Sequence, residues 1–73
     1  MSWRDRISID LSIHHGKPCI KGTRIPVALI LGYLAAGRDT AAIQREFPDL
    51  TEANVAACLD YARDLAEFEA APA

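Results

Sequence analysis

Apolar residues follow two different periods along this chain. Between Trp3 and Ser12, Ile7, Ile9 and Leu11 alternate with Ser8, Asp10 and Ser12, the period of two that a half-buried strand gives. From Val27 onward the spacing becomes three and four. Leu29, Ile30, Tyr33 and Leu34 form one stripe, and Val55, Cys58, Leu59, Ala62 and Leu65 form another, as amphipathic helices require. A short segment with Ile43 and Phe47 turned inward lies between them. The predicted elements are one short strand and three helices, the first near Val27–Ala36, the second short, the third near Glu52–Phe68. A lone strand leaves its backbone groups unpaired. Its partner is either the extended pieces later in this chain or the same segment of a second chain.

The punctuation between the stripes agrees with these boundaries. Pro26 suits the first turn of the first helix, where an N–H has no acceptor, and Gly37 suits its left-handed C-cap. Gly32 lies inside that helix, where it costs up to ~1 kcal/mol relative to alanine, and close helix packing is its expected use. Asp39 or Thr40 caps the second helix and Pro48 stops it. Asp49-Leu50 makes the turn, Thr51 caps the third helix, and Glu52 sits in its first turn, where the helix dipole favours it. A short second helix joined tightly to a longer third is helix-turn-helix organisation. With 73 residues there is room for one domain: a strand-and-loop arm over 1–25, three helices over 26–69 and a fraying tail over 70–73.

The densest local signal is GKPCIKGTRIPV, Gly16 to Val27. Gly16 and Gly22 allow backbone angles that other residues avoid. Pro18 and Pro26 fix φ and push Lys17 and Ile25 into extended conformations. The expected result is two short extended pieces, Cys19-Ile20 and Arg24-Ile25, joined by a turn at Lys21-Gly22-Thr23. Ile20 and Ile25 are to face the core, and Lys17, Lys21 and Arg24 are left for solvent or a partner.

That run, followed by LILGYLAAG, the short helix, the PDLT turn and the last helix, resembles the family known as domain of unknown function 433 over about residues 10 to 66. The family pattern is roughly G-G-K-P-C-I-x-G-T-R-I-P-V. His15 stands where the family usually has its first glycine, which alters the turn before Gly16. The resemblance implies a small homeodomain-like fold, so the expected class is mainly α: a three-helix, helix-turn-helix bundle with short N-terminal β segments. It also implies the antitoxin half of a toxin–antitoxin pair, acting beside a PIN-like ribonuclease toxin.

Charge changes the functional picture. The net charge is −2, but it is unevenly placed. Arg4, Arg6, Lys17, Lys21 and Arg24 outnumber Asp5 and Asp10 before Pro26, no charge falls between Pro26 and Gly37, and eight acids outnumber Arg38, Arg45 and Arg63 thereafter. A basic head thus sits on an acidic helical body. A chain this short buries only roughly 60% of its unfolded surface and often gains stability by oligomerising, so a homodimer through the N-terminal half is expected. MSWRDRISID lacks the apolar core of a signal peptide, and no run approaches the ~20 apolar residues of a membrane span. A cytoplasmic protein without membrane contact, with Cys19 and Cys58 as free thiols, is the expectation.

Candidate chemistry is mostly binding. A recognition helix offers polar readers near its N-terminus, and only Asn54 qualifies. Phosphate affinity rests on cations, so the acidic third helix is to be repelled by a duplex and the head is the better surface. The nucleic-acid candidates are therefore Lys17, Lys21, Arg24 and Asn54. For Arg24 a structural role is the leading expectation, its planar fork bonding carbonyls or carboxylates of the loop or a helix end. Asp60, Asp64, Glu67 and Glu69 are the partner-binding candidates, mimicking nucleic-acid charge toward a basic nuclease surface. Gly16, Pro18, Gly22, Pro26, Gly37 and Thr51 are structural. His14, His15 and Cys19 lack the spaced ligand pairs of a zinc site, and Cys19 lacks a convincing base and orienter. No metal, cofactor or catalytic residue is expected, and the protein is not expected to be an enzyme. The expected function is an antitoxin-type binding protein with weak promoter binding; the alternative is a stand-alone helix-turn-helix regulator.

Overall fold

The computed structural model describes residues 2–67. The predicted helix end at Phe68, the candidate Glu69 and the tail Ala70–Ala73 lie outside these residues. The chain is mainly helical: β1 (Ile7–Ser8), β2 (Cys19–Ile20), α1 (Val27–Ala35), α2 (Thr40–Glu46) and α3 (Glu52–Glu67), with a 3₁₀ turn at Trp3–Asp5. β1 and β2 pair antiparallel, Ile7 opposite Ile20 and Ser8 opposite Cys19. The strand partner is therefore within the chain.

The predicted strand is cut down to two residues. Ile7 is buried, but Ile9 and Leu11 are exposed, Leu11 by 87%. The pattern of two continues in sequence, yet β2 is only two residues long and offers nothing further to pair with. The chain instead turns at Asp10, whose Oδ1 accepts from the Ser12 amide and hydroxyl at 2.8 and 2.7 Å. Those bonds hold the Asp10 carboxyl below its ordinary pKa.

Ile7, Ile20, Val27, Ile30, Ile43, Leu50, Val55, Ala57 and Cys58 form the core. Its helical contributions keep Ile30, Tyr33 and Leu34 of the first predicted stripe and Val55 and Cys58 of the second, and depart from them at single leucines. On α1 the buried residues are Val27 and Ile30, with Leu31 and Leu34 packed against them, while Leu29 is exposed. Positions 27, 30, 31 and 34 share one helix face, and Leu29 lies outside it, on the side of Ile30 opposite to Leu31. On α3, Val55, Ala57, Cys58 and Tyr61 face inward, while Leu59 and Leu65 are exposed by 50 and 59%.

Boundaries follow from caps. Pro26 precedes α1 as its N-cap, with ψ 140°, instead of occupying the first turn. Gly37 has φ +88°, the left-handed residue after α1. Asp39 caps α2 by accepting from the Ala42 amide at 2.8 Å. Thr51 and Asn54 cap α3 reciprocally, the Asn54 amide donating to Thr51 Oγ1 at 3.1 Å and the Thr51 amide to Asn54 Oδ1 at 2.9 Å. Gly32 has nothing within 4 Å of where a Cβ would stand, so its expected role in close helix packing is not fulfilled.

Candidate functional site

The Gly16–Val27 run folds as a braced loop. His14, His15 and Gly16 all have positive φ, 49°, 56° and 85°, so three consecutive residues turn left-handed. Such a run is unfavourable for residues with a Cβ. The turn is held by the amides of Gly16 and Lys17, which donate to Ile13 and His14 carbonyls. The His14 ring adds a tie, its Nε2 lying 2.8 Å from the Arg24 carbonyl oxygen. Past β2 the Thr23 amide donates to the Ile20 carbonyl at 3.0 Å, closing a turn with Gly22 third at φ +77°, where a type II turn needs positive φ. Thr23 Oγ1 donates to the same carbonyl and accepts from the Ile25 amide. The Val27 amide then donates to the Pro18 carbonyl at 2.9 Å, fixing the start of α1 to the loop.

This scaffold leaves Lys17, Lys21 and Arg24 exposed. The expected structural role of the Arg24 guanidinium does not materialise. Among the described residues it makes no hydrogen bond or ion pair; the loop is held instead by Arg24's own carbonyl and by Thr23. The cations elsewhere are partly engaged. Arg4 lies over the Trp3 ring at 4.5 Å, Arg38 over Tyr33 at 5.4 Å, and Arg63 pairs with Glu67 at 3.5 Å.

On α3, Asn54 spends its carboxamide oxygen on the cap, accepting from both the amide and hydroxyl of Thr51 at 2.9 Å. Bidentate reading of adenine uses both ends of a carboxamide, and only the Nδ2 end is left. Asp60 and Asp64 are drawn together by a residue that pattern reading did not single out. Asp60 Oδ2 accepts from the Trp3 amide at 3.2 Å and Asp64 Oδ2 from the Trp3 indole at 2.6 Å. The Trp3 ring stands edge-on to Tyr61, with centroids 4.8 Å apart. The available signal was a tryptophan, the single one in the chain, which needs both apolar cover and an acceptor. Glu67 is exposed and pairs with Arg63 among the described residues.

A second feature is apolar. Between the start of α1, the end of α3 and the two prolines lies an open trough of about 330 Å³, lined by Pro18, Pro26, Val27, Leu31, Tyr61 and Leu65, with Ala28 and Lys17 at its edge. Among the described residues no cluster of three or more His, Cys, Asp or Glu side chains is arranged to hold a metal ion. Cys19 and Cys58 are free and buried, and burial pushes the Cys58 thiol up to about 11.

The model of a family described as a protein of unknown function (DUF433) matches residues 7–62. This chain belongs to that family. No curated protein and no solved structure matches it. The matched segment contains the sheet, the braced loop, α1, α2 and most of α3. In this DUF433 protein the bond from Trp3 to Asp64 therefore joins two residues that flank the family segment on either side. No helix of the described residues is long and apolar enough to cross a membrane.

Proposed function

We propose that this protein is a cytoplasmic, antitoxin-type binding module that neutralises a PIN-like ribonuclease toxin. The observation that carries the reading is the open apolar trough beside α3. An exposed apolar concavity of this kind is what a partner surface fills. The helix along its edge carries Glu52, Asp60, Asp64 and Glu67 against Arg63 alone, a charge balance that would attract and orient a nuclease built to grip RNA. Family membership is compatible with this reading and does not decide it. A homodimer through the N-terminal half belongs to the same proposal, with the outer strand β1 and the exposed Ile9 and Leu11 as its surface.

The stand-alone regulator is the weaker alternative. It needs α3 to enter a DNA groove, and Asn54 is tied into the cap while the surface behind it is acidic.

The test is recovery of the tagged full chain from its native cell, followed by mass spectrometry. A stoichiometric small protein with clustered aspartates, whose RNA cleavage stops when this chain is added, is the expected result. Replacing Leu65 by Asp should abolish the co-recovery. Recovery of DNA and nucleoid proteins alone would overturn the proposal in favour of the regulator. Reversing Asp60 and Asp64 is a poor probe of the partner surface, because it would also release Trp3.

A further inference from the structure

We infer that the apolar trough takes an amphipathic helix of the partner, laid across α1 and α3 with an acidic C-terminal end against Lys17. The inference rests on the reading of this trough as a protein-binding site, and it names what fills it.

The floor of the trough is made of two apolar pairs. Val27 and Leu31 lie four residues apart on α1, and Tyr61 and Leu65 lie four apart on α3. Side chains at this spacing stand one above the other on a helix. Two apolar ridges therefore border one groove, the geometry into which a further helix packs a ridge of its own. Leu65 is 59% exposed, so the floor still has apolar area to cover.

An extended segment fits this groove poorly. A strand must find partners for its backbone outside itself, and these walls have none to give. Pro18 and Pro26 carry no N–H, and their carbonyls already accept from the Val27 and Leu29 amides at 2.9 and 3.1 Å. The other walls are α1 and α3, whose backbone groups past the first turn bond along the helix. A bound helix brings its own backbone bonds and needs only an apolar face.

Charge sets the direction. Among the described residues the one charged side chain lining the trough is Lys17, and it forms no ion pair. It precedes Pro18, whose carbonyl fixes the start of α1. No side chain caps that start and no acid lies in its first turn, so the positive end of the α1 dipole adds to the Lys17 charge. The end of a bound helix that suits this place is its C-terminus, where the dipole is negative. An acidic side chain there completes the match.

The probes are three labelled synthetic peptides of about 15 residues, long enough to hold a helix, titrated with the full chain and read by fluorescence anisotropy. The first has leucines spaced three and four residues apart and glutamates in its last turn. The second has lysines in place of those glutamates. The third keeps the glutamates and adds a central proline. The first should bind, the second roughly twofold to fivefold more weakly, and the third not measurably, because its helix is broken. Leu65→Asp should weaken the first peptide by about tenfold. Leu59→Asp, at an exposed leucine of α3 that does not line the trough, should leave it unchanged. Lys17→Glu should reverse the order of the first two peptides. Lys17, Leu59 and Leu65 are all exposed, so circular dichroism should show folded variants throughout. No binding of the first peptide, equal binding of the proline peptide, or an order that Lys17→Glu leaves unchanged would each overturn the inference. So would a dimer in sedimentation that Leu65→Asp dissociates, because a second copy would then fill the trough. Peptide binding as described, with no nuclease recovered from the cell, would support this inference and remove the ribonuclease reading. A nuclease recovered by a chain that binds no peptide would do the reverse.

Discussion

The indole nitrogen of Trp3 donates to the carboxylate of Asp64 at 2.6 Å, closing the N-terminal arm onto the far end of α3. The Trp3 amide repeats the connection one helical turn earlier, at Asp60, and the ring sits edge-on against Tyr61 between them. Two acids that look like free surface charge in the sequence are thus acceptors in a clip. Trp3→Phe keeps the ring contact and removes the indole donor, and should cost about 1 kcal/mol. Trp3→Ala also loses the aromatic contact and should cost about 2–3 kcal/mol. Urea unfolding followed by circular dichroism checks both. Equal midpoints for wild type and Trp3→Ala would mean that the arm is not docked.

Gly32 and Gly37 should respond to alanine in opposite directions. Gly32 has an α-helical environment and open space where a Cβ would go, so Gly32→Ala should stabilise by about 0.5–1 kcal/mol. Gly37 also has open space, but its φ is +88°, and Gly37→Ala should destabilise by about 1 kcal/mol because the backbone is strained for any residue with a Cβ. For a domain of this size each kcal/mol moves the melting temperature by about 4–8 °C, and thermal melts of the two variants read the difference directly.

His15 holds φ 56°, ψ 34° in a turn whose next residue, Gly16, is also left-handed. A non-glycine residue there costs about 1–2 kcal/mol. Glycine gives back about 0.5–1 kcal/mol through the greater freedom of the unfolded chain. His15→Gly should therefore be net stabilising by about 0.5–1 kcal/mol. His14→Gly relieves similar strain but also deletes the ring bond to the Arg24 carbonyl, so it should gain less or lose. A chemical-denaturation comparison in which His14→Gly stabilises more than His15→Gly would show that the ring bond contributes nothing.

The fold was legible where one residue's chemistry sets a boundary. Asp39, Thr51, Pro48 and Gly37 each mark a helix end through their own backbone or side-chain preference, and the helices end where these residues stand. The turn at Gly22 was readable for the same reason. The strand was not, because its length depends on how much of β2 is available to pair, which the alternation of Ile7, Ile9 and Leu11 does not encode. Leu59 and Leu65 fit the stripe by spacing yet stay exposed, because burial is decided by what the rest of the fold can reach. At the candidate surfaces, exposure of Lys17, Lys21 and Arg24 was legible from the loop, whereas the engagement of Asp60 and Asp64 was not. It requires knowing that residue 3 meets residue 64, a long-range contact that no local spacing reveals.

Cys58 gives the chain an alkaline limit that can be separated from its other titrations. The thiol is buried in the core, and desolvation raises its pKa from 9.0 to about 11. The folded state therefore holds the proton over a range in which the unfolded chain loses it. Stability from this group is fully present below pH 9 and is lost as pH rises through 11, and a difference of this size corresponds to about 3 kcal/mol. Tyrosines and lysines also titrate there, so the wild-type curve alone does not isolate the effect. Cys58→Ala should cost about 1–2 kcal/mol near neutral pH through the lost packing volume, and the gap between it and wild type should narrow and close as pH rises from 9 to 11. Unfolding free energies of the two proteins across that range test the claim. A gap that stays constant would mean that the thiol ionises in the folded protein as readily as in the unfolded one.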